Sequence, residues 1–417
     1  MSLGLILASA GVGLLLLMLV QVMPQEKVQK NAARSAETLY EEGIYPTEYT
    51  WCNSTLDNWT DSQMILIAST IKEDATALDR ALKGYNPWYS IDGYGVNPWE
   101  AICLTYGDFS TEGMESGLGS YARYWHGYVV TLRTALSFTD FEGIRTLNLI
   151  LQTGLLLAVV IHMILAGQYL LIVPYVLSMA ALLPLHTSHS LQYSTVYYIT
   201  QITSLAVLKL KNRKSLQSYI FLFSGILTAY MDFLTYPMVS CCIPLVICLS
   251  MDRDRTWKER ALFIIKAGFY WCMGYVGMWA MKWILATLLT DFNVIQDALA
   301  NIKMRSFAST NENAGTDVTV GDTLYRNYLM YFGNALSWYP FLAGLILSFL
   351  AAIQRKGKNA KDIALYWFIA ALPLAWFIMA MNHSNIHAHF TCRDFAVTSF
   401  SLMTAATHIR FKKKRLT

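Results

Sequence analysis

Residues 2–23 read SLGLILASAGVGLLLLMLVQVM, with no charged residue anywhere in the run. A helix needs about 20 mostly apolar residues to cross a bilayer, because the hydrocarbon core has no water to satisfy exposed backbone groups. A cleaved signal peptide wants basic residues ahead of its apolar stretch and a small-residue cleavage site. No lysine or arginine precedes this run, so it reads as a retained spanning helix. Further apolar stretches follow at about 146–167, 169–185, 190–208, 216–235, 237–251, 261–289, 326–353, 363–381 and 391–408. The expectation is an all-α polytopic membrane protein with about ten transmembrane helices. The span at 237–251 is short and interrupted by Pro244, as in a re-entrant pair.

Composition points the same way. Hydrophobic types make up 55% of the 417 residues, 14% are charged, and mean hydropathy is +0.35. Soluble domains carry about 25% charged residues, so a water-soluble enzyme is disfavoured. Seven cysteines, odd and scattered, form no disulfide framework. Cys52 and Cys103 fall in one loop, where a bridge is permitted but not required. The net charge of +4 hides an uneven distribution: positions 25–145 hold 17 acidic and 9 basic residues, and the remainder 11 acidic and 23 basic. A nucleic-acid binder gathers positive charge on a domain face; here it comes in short bursts between apolar runs. There is no internal repeat, no low-complexity tract and no GxxxxGK[ST] phosphate loop.

The bursts orient the chain. Lys209–Lys214, Arg253–Arg260, Arg355–Lys361 and Arg410–Arg415 hold 17 of the 23 basic residues outside the 25–145 segment. Lys and Arg accumulate on the cytoplasmic side, and ten helices starting inside put every burst there. The expected organisation is helix one at 1–23, an extracytoplasmic loop at 24–145, a bundle of about nine helices at 146–408 and a basic cytoplasmic tail at 409–417. Both termini are then cytoplasmic in a multi-pass plasma-membrane protein. Links near His186, Tyr236 and Asn382, and a loop from Thr290 to Tyr325, share the outer side. The long loop carries Trp51, Trp59, Trp88, Trp99 and Trp125. It is expected to form a compact cap of short interfacial helices, with amphipathic stretches at Gln63–Thr70 and Asp74–Leu82 and turns at Asn86-Pro87, Asp92-Gly93 and Asn97-Pro98.

With sides assigned, the unusual polar residues crowd the outer face. Ionisable groups at membrane depth are costly and face a cavity, pair or carry function. In YARYWHGYVVTLR, residues 121–133, helical spacing places Arg123, His126 and Arg133 on one face. Arginine forks bind phosphate oxygens through paired hydrogen bonds, so the segment suits a lipid-linked phosphate, or else anchors to anionic headgroups. Asp57 and Asp61, in LDNWTDSQM, are four apart near the start of the loop. A carboxylate there can act as general base, and two can hold a divalent cation such as magnesium or manganese; the plain alternative is an N-cap and a solvated acid. Glu41-Glu42 is a rival acid pair. In NHSNIHAHFTCRD, residues 382–394, His383 and His387 have the HxxxH spacing of zinc ligands but no HExxH glutamate. A phosphate or sugar pocket with Arg393 as charge partner fits the run better. His186 and His189 admit the same readings. Asp232 and Lys282 lie inside apolar helices and are expected to pair, or to line the cavity.

At this level the chain resembles the GT-C class of integral membrane glycosyltransferases: about ten helices, with the longest outer loop after helix one and acids near its start. The segments LDNWTDSQM, YARYWHGYVVTLR, TAYMDFLTYP and NHSNIHAHFTCR resemble those of an uncharacterised family of Gram-positive bacterial membrane proteins. The resemblance implies that Asp57 or Asp61 acts as base or holds a metal, and that Arg123, His126, Arg133 and Arg393 bind the phosphate of a polyprenyl-phosphate-linked sugar, with His383 and His387 of the histidine run as further phosphate-binding candidates. The acceptor would be a cell-envelope glycan or lipid. The chain departs from that pattern in having no adjacent Asp-Asp or Asp-Glu pair and no soluble C-terminal domain. A lipid or oligosaccharide flippase or transporter is the competing class, favouring repeated halves and broken helices meeting near the midplane. A polysaccharide polymerase or ligase is the third, with its main outer loop expected late in the chain.

Overall fold

The computed structural model describes residues 2–107, 109–252, 255–307, 310–311, 316–354 and 358–409. The basic tail from Arg410, Arg253, and Arg355 and Lys356 of the third burst lie outside the described residues. Helix α1 (Ser2–Leu19) continues as a 3₁₀ turn to Val22 and is followed by α2 (Gln25–Glu42), α3 (Asn58–Ser69) and α4 (Ala77–Lys83). Strands β1 (Tyr85–Ile91) and β2 (Tyr94–Gly95), helix α5 (Pro98–Tyr106), strand β3 (Glu115–Ser120) and helix α6 (Tyr128–Leu136) complete the segment. Then come α7 (Phe141–Leu165), α8 (Tyr169–Ala180), α9 (Pro184–His189), α10 (Leu191–Lys209), α11 (Gln217–Met231), α12 (Met238–Met251) and α13 (Trp257–Leu289). The chain finishes with α14 (Val294–Phe307), α15 (Val320–Phe332), α16 (Ala335–Gln354), α17 (Lys358–Met379), α18 (Met381–Ile386), α19 (Ala388–Thr391) and α20 (Phe395–Ala406).

The architecture is that of an all-α membrane protein, but the expected ten crossings are corrected. Among the described residues, five helices are long and apolar enough to span: Ser2–Val22, Phe141–Leu165, Trp257–Leu289, Ala335–Gln354 and Ala360–Met379. An apolar run is not by itself a crossing, because hydropathy does not report where a helix stops. Helices α8, α11, α12 and α20 have 12 to 15 residues. At about 1.5 Å per residue they rise roughly 18–22 Å, against a hydrocarbon core of about 30 Å. Helix α10 is longer but carries Gln192, Ser194, Thr195, Thr200, Gln201, Thr203 and Ser204 on buried positions.

Helices α10, α11, α12 and α20 form the interior. Twelve of the 14 residues of α12 and eleven of the 12 of α20 are buried, whereas only 17% of the apolar window of α7 and 22% of that of α16 is. Long apolar helices thus present bare Leu, Ile and Phe outward around a core of shorter, buried ones, the distribution expected where the surroundings are lipid. Helices α11 and α13 touch backbone to backbone at Gly225 and Gly274. A Cβ at Gly225 would meet the Trp271 carbonyl, and one at Gly274 the Leu222 carbonyl; small residues permit this approach.

The bundle has two chemically distinct ends. Lys214 pairs with Asp252 at 3.4 Å, Arg260 with Asp362 at 2.7 Å, and the Trp257 indole donates to the Lys361 carbonyl at 2.9 Å, so the described parts of three basic bursts meet at one end. The other end gathers α2–α6, α9, the 232–237 turn, α14 and α18–α19. This cap is not purely helical, as expected, but holds an antiparallel sheet ordered β2-β1-β3. Asp92-Gly93 is its two-residue hairpin loop, with φ of 52° and 82°, the positive values that favour Asp-Gly. Asn86-Pro87 runs inside β1 rather than turning. Asn97 caps α5, accepting from the Glu100 amide while Glu100 accepts from the Asn97 amide.

Candidate functional site

Short helices ending inside a protein leave unpaired amides at one end and unpaired carbonyls at the other. Several of the buried charges do this work. Asp61, fully buried, accepts from Ser190 Oγ at 3.2 Å and from the Leu191 and Gln192 amides at 3.0 Å, capping α10 from another segment. Asp394 accepts the Val239 amide at 3.3 Å at the start of α12. Arg133 donates to the Val20 carbonyl at 2.9 Å, the Ala68 carbonyl at 2.7 Å and Gln25 Oε1 at 2.6 Å, closing the ends of α1 and α3. Arg145 holds the His189 carbonyl at the end of α9 and forks onto Glu42. Arg260 donates to the Leu249 carbonyl near the end of α12. Burial pushes the Asp61 carboxyl up to about 7, with the charge of Asp57 adding to it against the amide hydrogen bonds.

The expected Asp232–Lys282 pair does not form. Asp232 accepts from the Thr235 amide at 3.0 Å and the Thr235 hydroxyl, closing its own turn. Lys282 Nζ donates to the Leu82 carbonyl at 2.6 Å, beneath the Trp125 ring. That carbonyl belongs to the last turn of α4, whose partial negative charge compensates the ammonium without an acid.

The shared helical face of Arg123, His126 and Arg133 is corrected too. The helix begins only at Tyr128, and His126 has φ of +55°, which breaks the register. Arg123 NH1 reaches both oxygens of Asp297, at 3.1 and 3.0 Å. His126 Nε2 donates to the Tyr121 carbonyl at 2.6 Å, and Nδ1 accepts from the Tyr128 hydroxyl at 3.1 Å. Burial, then Lys282, holds the ring neutral, its pKa lowered to about 3. Arg123 remains linked to the histidine segment through α14: Asp297 and Arg305 lie eight residues apart on that helix, about 12 Å along its axis.

His186 and His189 both bond Glu48 through Nδ1, His186 at 2.6 Å. Burial opposes ionisation of Glu48, but the two histidines outweigh it and hold the carboxyl at about 2. Among the described residues no group of three or more His, Cys, Asp or Glu side chains is arranged to hold a metal ion. The Asp61 oxygens face donors, and Glu48 is shared by two ring nitrogens. The residues present do not fit the divalent cation or zinc that the motifs suggested. All described cysteines are free, Cys52 and Cys103 among them.

Removing the groups with structural partners leaves a compact set. Asp57 caps α3, its Oδ1 accepting from the Thr60 amide at 3.0 Å and Oδ2 from the Thr60 hydroxyl at 2.9 Å. His389 Nε2 stands 3.8 Å from Asp57 Oδ2. Burial opposes the Asp57 charge, but His389 and Thr60 prevail and lower its pKa. The His387 side chain makes no hydrogen bond among the described residues; its ring stacks on Phe390 with centroids 5.0 Å apart. Burial lowers its pKa to about 3, with His389, Arg305 and Arg326 pushing the same way and Asp57 opposing. Arg326 donates to Asn385 Oδ1 at 3.5 Å, and Arg305 to His383 Nδ1 at 2.9 Å. His383 is fully engaged, because its Nε2 donates to the Leu234 carbonyl at 2.9 Å. Arg393 lies over the Tyr193 ring at 3.9 Å and donates to the His389 carbonyl at 2.9 Å.

Asp57, His387, His389 and Arg393 thus meet at the cap end, together with Arg305 and Arg326, which sequence reasoning missed. One signal was available: Lys303, Arg305 and Arg326 are cations in or beside a loop that the positive-inside rule assigns to the side poor in them. On the flank of α15 opens an apolar groove of about 370 Å³, lined by Leu324, Tyr325, Tyr328, Phe341, Leu374 and Phe395. No protein-family model, curated protein or solved structure matches the chain.

Proposed function

We propose that the protein is a membrane glycosyltransferase that moves a sugar from a polyprenyl-phosphate carrier to a cell-envelope glycan or lipid acceptor on the extracytoplasmic side, where the cap end would face. The observation that carries this reading is the pair of cations that α14 and α15 bring to the histidine segment: Arg305 on His383 Nδ1 at 2.9 Å, with the His387 ring 4.7 Å from that of His383, and Arg326 on Asn385 Oδ1 at 3.5 Å. Two guanidinium groups and an imidazole donor suit a lipid phosphate, and each charge-assisted hydrogen bond is worth about 1.5–3 kcal/mol. The apolar groove on the flank of α15, the helix that carries Arg326, suits the carrier's hydrocarbon tail. As the new bond forms between the acceptor oxygen and the sugar's anomeric carbon, the carbon–phosphate oxygen bond breaks and the phosphate leaves with the electron pair. The cations offset the charge that develops there. Asp57 drives removal of the acceptor hydroxyl proton. Asp61 supports α10 instead, since both of its oxygens are occupied by that helix.

A lipid flippase or transporter is the second reading, favoured by the short Pro-bearing helix α12 inside the bundle. Purified protein in liposomes with a radiolabelled polyprenyl-phosphate sugar separates the two. Transfer to an added acceptor, lost in Arg305→Ala and Arg326→Ala, is the expected result. Movement of the intact donor between leaflets without transfer would overturn the transferase reading.

A further inference from the structure

His389 holds a position that the reading above does not use. Its side chain is 19% exposed, Nε2 is buried 3.8 Å from Asp57 Oδ2, and that nitrogen has no hydrogen-bond partner. Nδ1 makes no hydrogen bond among the described residues either. The backbone behind the ring is pinned, because the His389 carbonyl accepts from Asn53 Nδ2 at 2.9 Å and from Arg393 NH1 at 2.9 Å. Tyr45 meets the ring edge-on at 6.1 Å, Phe390 at 4.8 Å, and His387 lies 6.1 Å away. An imidazole held this way has one nitrogen turned to a carboxylate and the other free.

We propose that Asp57 and His389 form a carboxylate–imidazole dyad in which Asp57 keeps the proton on Nε2 and Nδ1 accepts the proton of the acceptor hydroxyl. The proposal rests on the transferase reading and assigns the base within it: His389 is the catalytic residue and Asp57 the positioning one. The carboxylate fixes the tautomer and stabilises the imidazolium that forms, while 3.8 Å is a separation that closes when the site is filled. Atoms balance. The hydroxyl proton passes to Nδ1 as the acceptor oxygen bonds to the anomeric carbon, and the carrier phosphate departs with the electrons of the broken bond.

The decisive measurement needs no activity. In full-length protein labelled with ¹⁵N-histidine, the ring-nitrogen shifts of His389, assigned by loss of its signal in His389→Gln, report the tautomer at pH 8. The wild type is expected to be predominantly Nε2–H, and Asp57→Asn, which can still cap α3 through its amide oxygen, to become a mixture. Transfer should fall about 10²–10⁴-fold in His389→Gln, and the Asp57→Asn, His389→Gln double variant should be no slower than His389→Gln alone. An unchanged tautomer in Asp57→Asn overturns the dyad, as does wild-type transfer by His389→Gln. A wild type that transfers no sugar from any polyprenyl-phosphate donor overturns the transferase reading instead, and the tautomer still decides the dyad.

Discussion

Asp61 Oδ2 accepts the backbone amide of Leu191, the first residue of α10, at 3.0 Å, although 130 residues separate the two in the chain. The contact locks the start of the cap to a buried helix and makes one carboxyl a reporter of cap docking. With the native pKa raised to about 7, its protonated form is favoured by folding. Its contribution to stability is complete below the unfolded value of about 3.9 and is lost as pH rises through 7. Thermal unfolding in detergent should therefore show Asp61→Asn gaining on the wild type between about pH 4 and 8, by up to about 4 kcal/mol at 1.4 kcal/mol per pKa unit. A constant difference across that range would mean that the carboxyl is ionised throughout.

Arg133 should be among the least replaceable cations. Arg133→Met leaves the Val20 and Ala68 carbonyls and Gln25 Oε1 without their donor. At about 1–3 kcal/mol for each unsatisfied buried group, the loss should exceed about 3 kcal/mol, seen as a lower midpoint and aggregation on size-exclusion chromatography. Arg123→Met, removing one partly buried pair with Asp297 and leaving no backbone carbonyl without its donor, should cost less than Arg133→Met.

His387 should behave the opposite way. Its side chain donates to nothing among the described residues, so His387→Asn is expected to unfold within about 1 kcal/mol of the wild type while binding of a polyprenyl phosphate weakens at least tenfold. Microscale thermophoresis with a short-chain prenyl phosphate checks it. Unchanged affinity would remove His387 from the phosphate site.

The close contact of α11 with α13 yields a packing test. Gly225→Leu must force the Trp271 carbonyl away, so it should abolish a monodisperse peak. Gly154→Leu, with open space around its Cβ position on α7, should not.

Opposite ends of the bundle should label from opposite sides. A reporter fused after Leu210 should read cytoplasmic, and a tag inserted between Asp92 and Gly93, beside the exposed Tyr94, should read external. The same side for both would overturn the orientation used in the proposed function.

The apolar runs, their membrane character and the collection of Lys and Arg in four bursts follow from local composition. So do elements set by adjacent residues: the Thr76 and Asn97 caps, with side chains three positions from the amides they accept, and the Asp-Gly turn. Hydropathy could not reveal how far each helix runs, because α10 to α12 stop where buried partners from elsewhere take over their ends. Nor could it separate the roles of Asp57 and Asp61, four residues apart in one segment. One faces His389 from helix α19, the other the amides of α10, and both partners arrive over more than 125 residues of intervening chain. The same holds for Lys282, whose acceptor is a backbone carbonyl 200 positions away. A buried charge is defined by what is brought against it, and only the packed tertiary structure brings it.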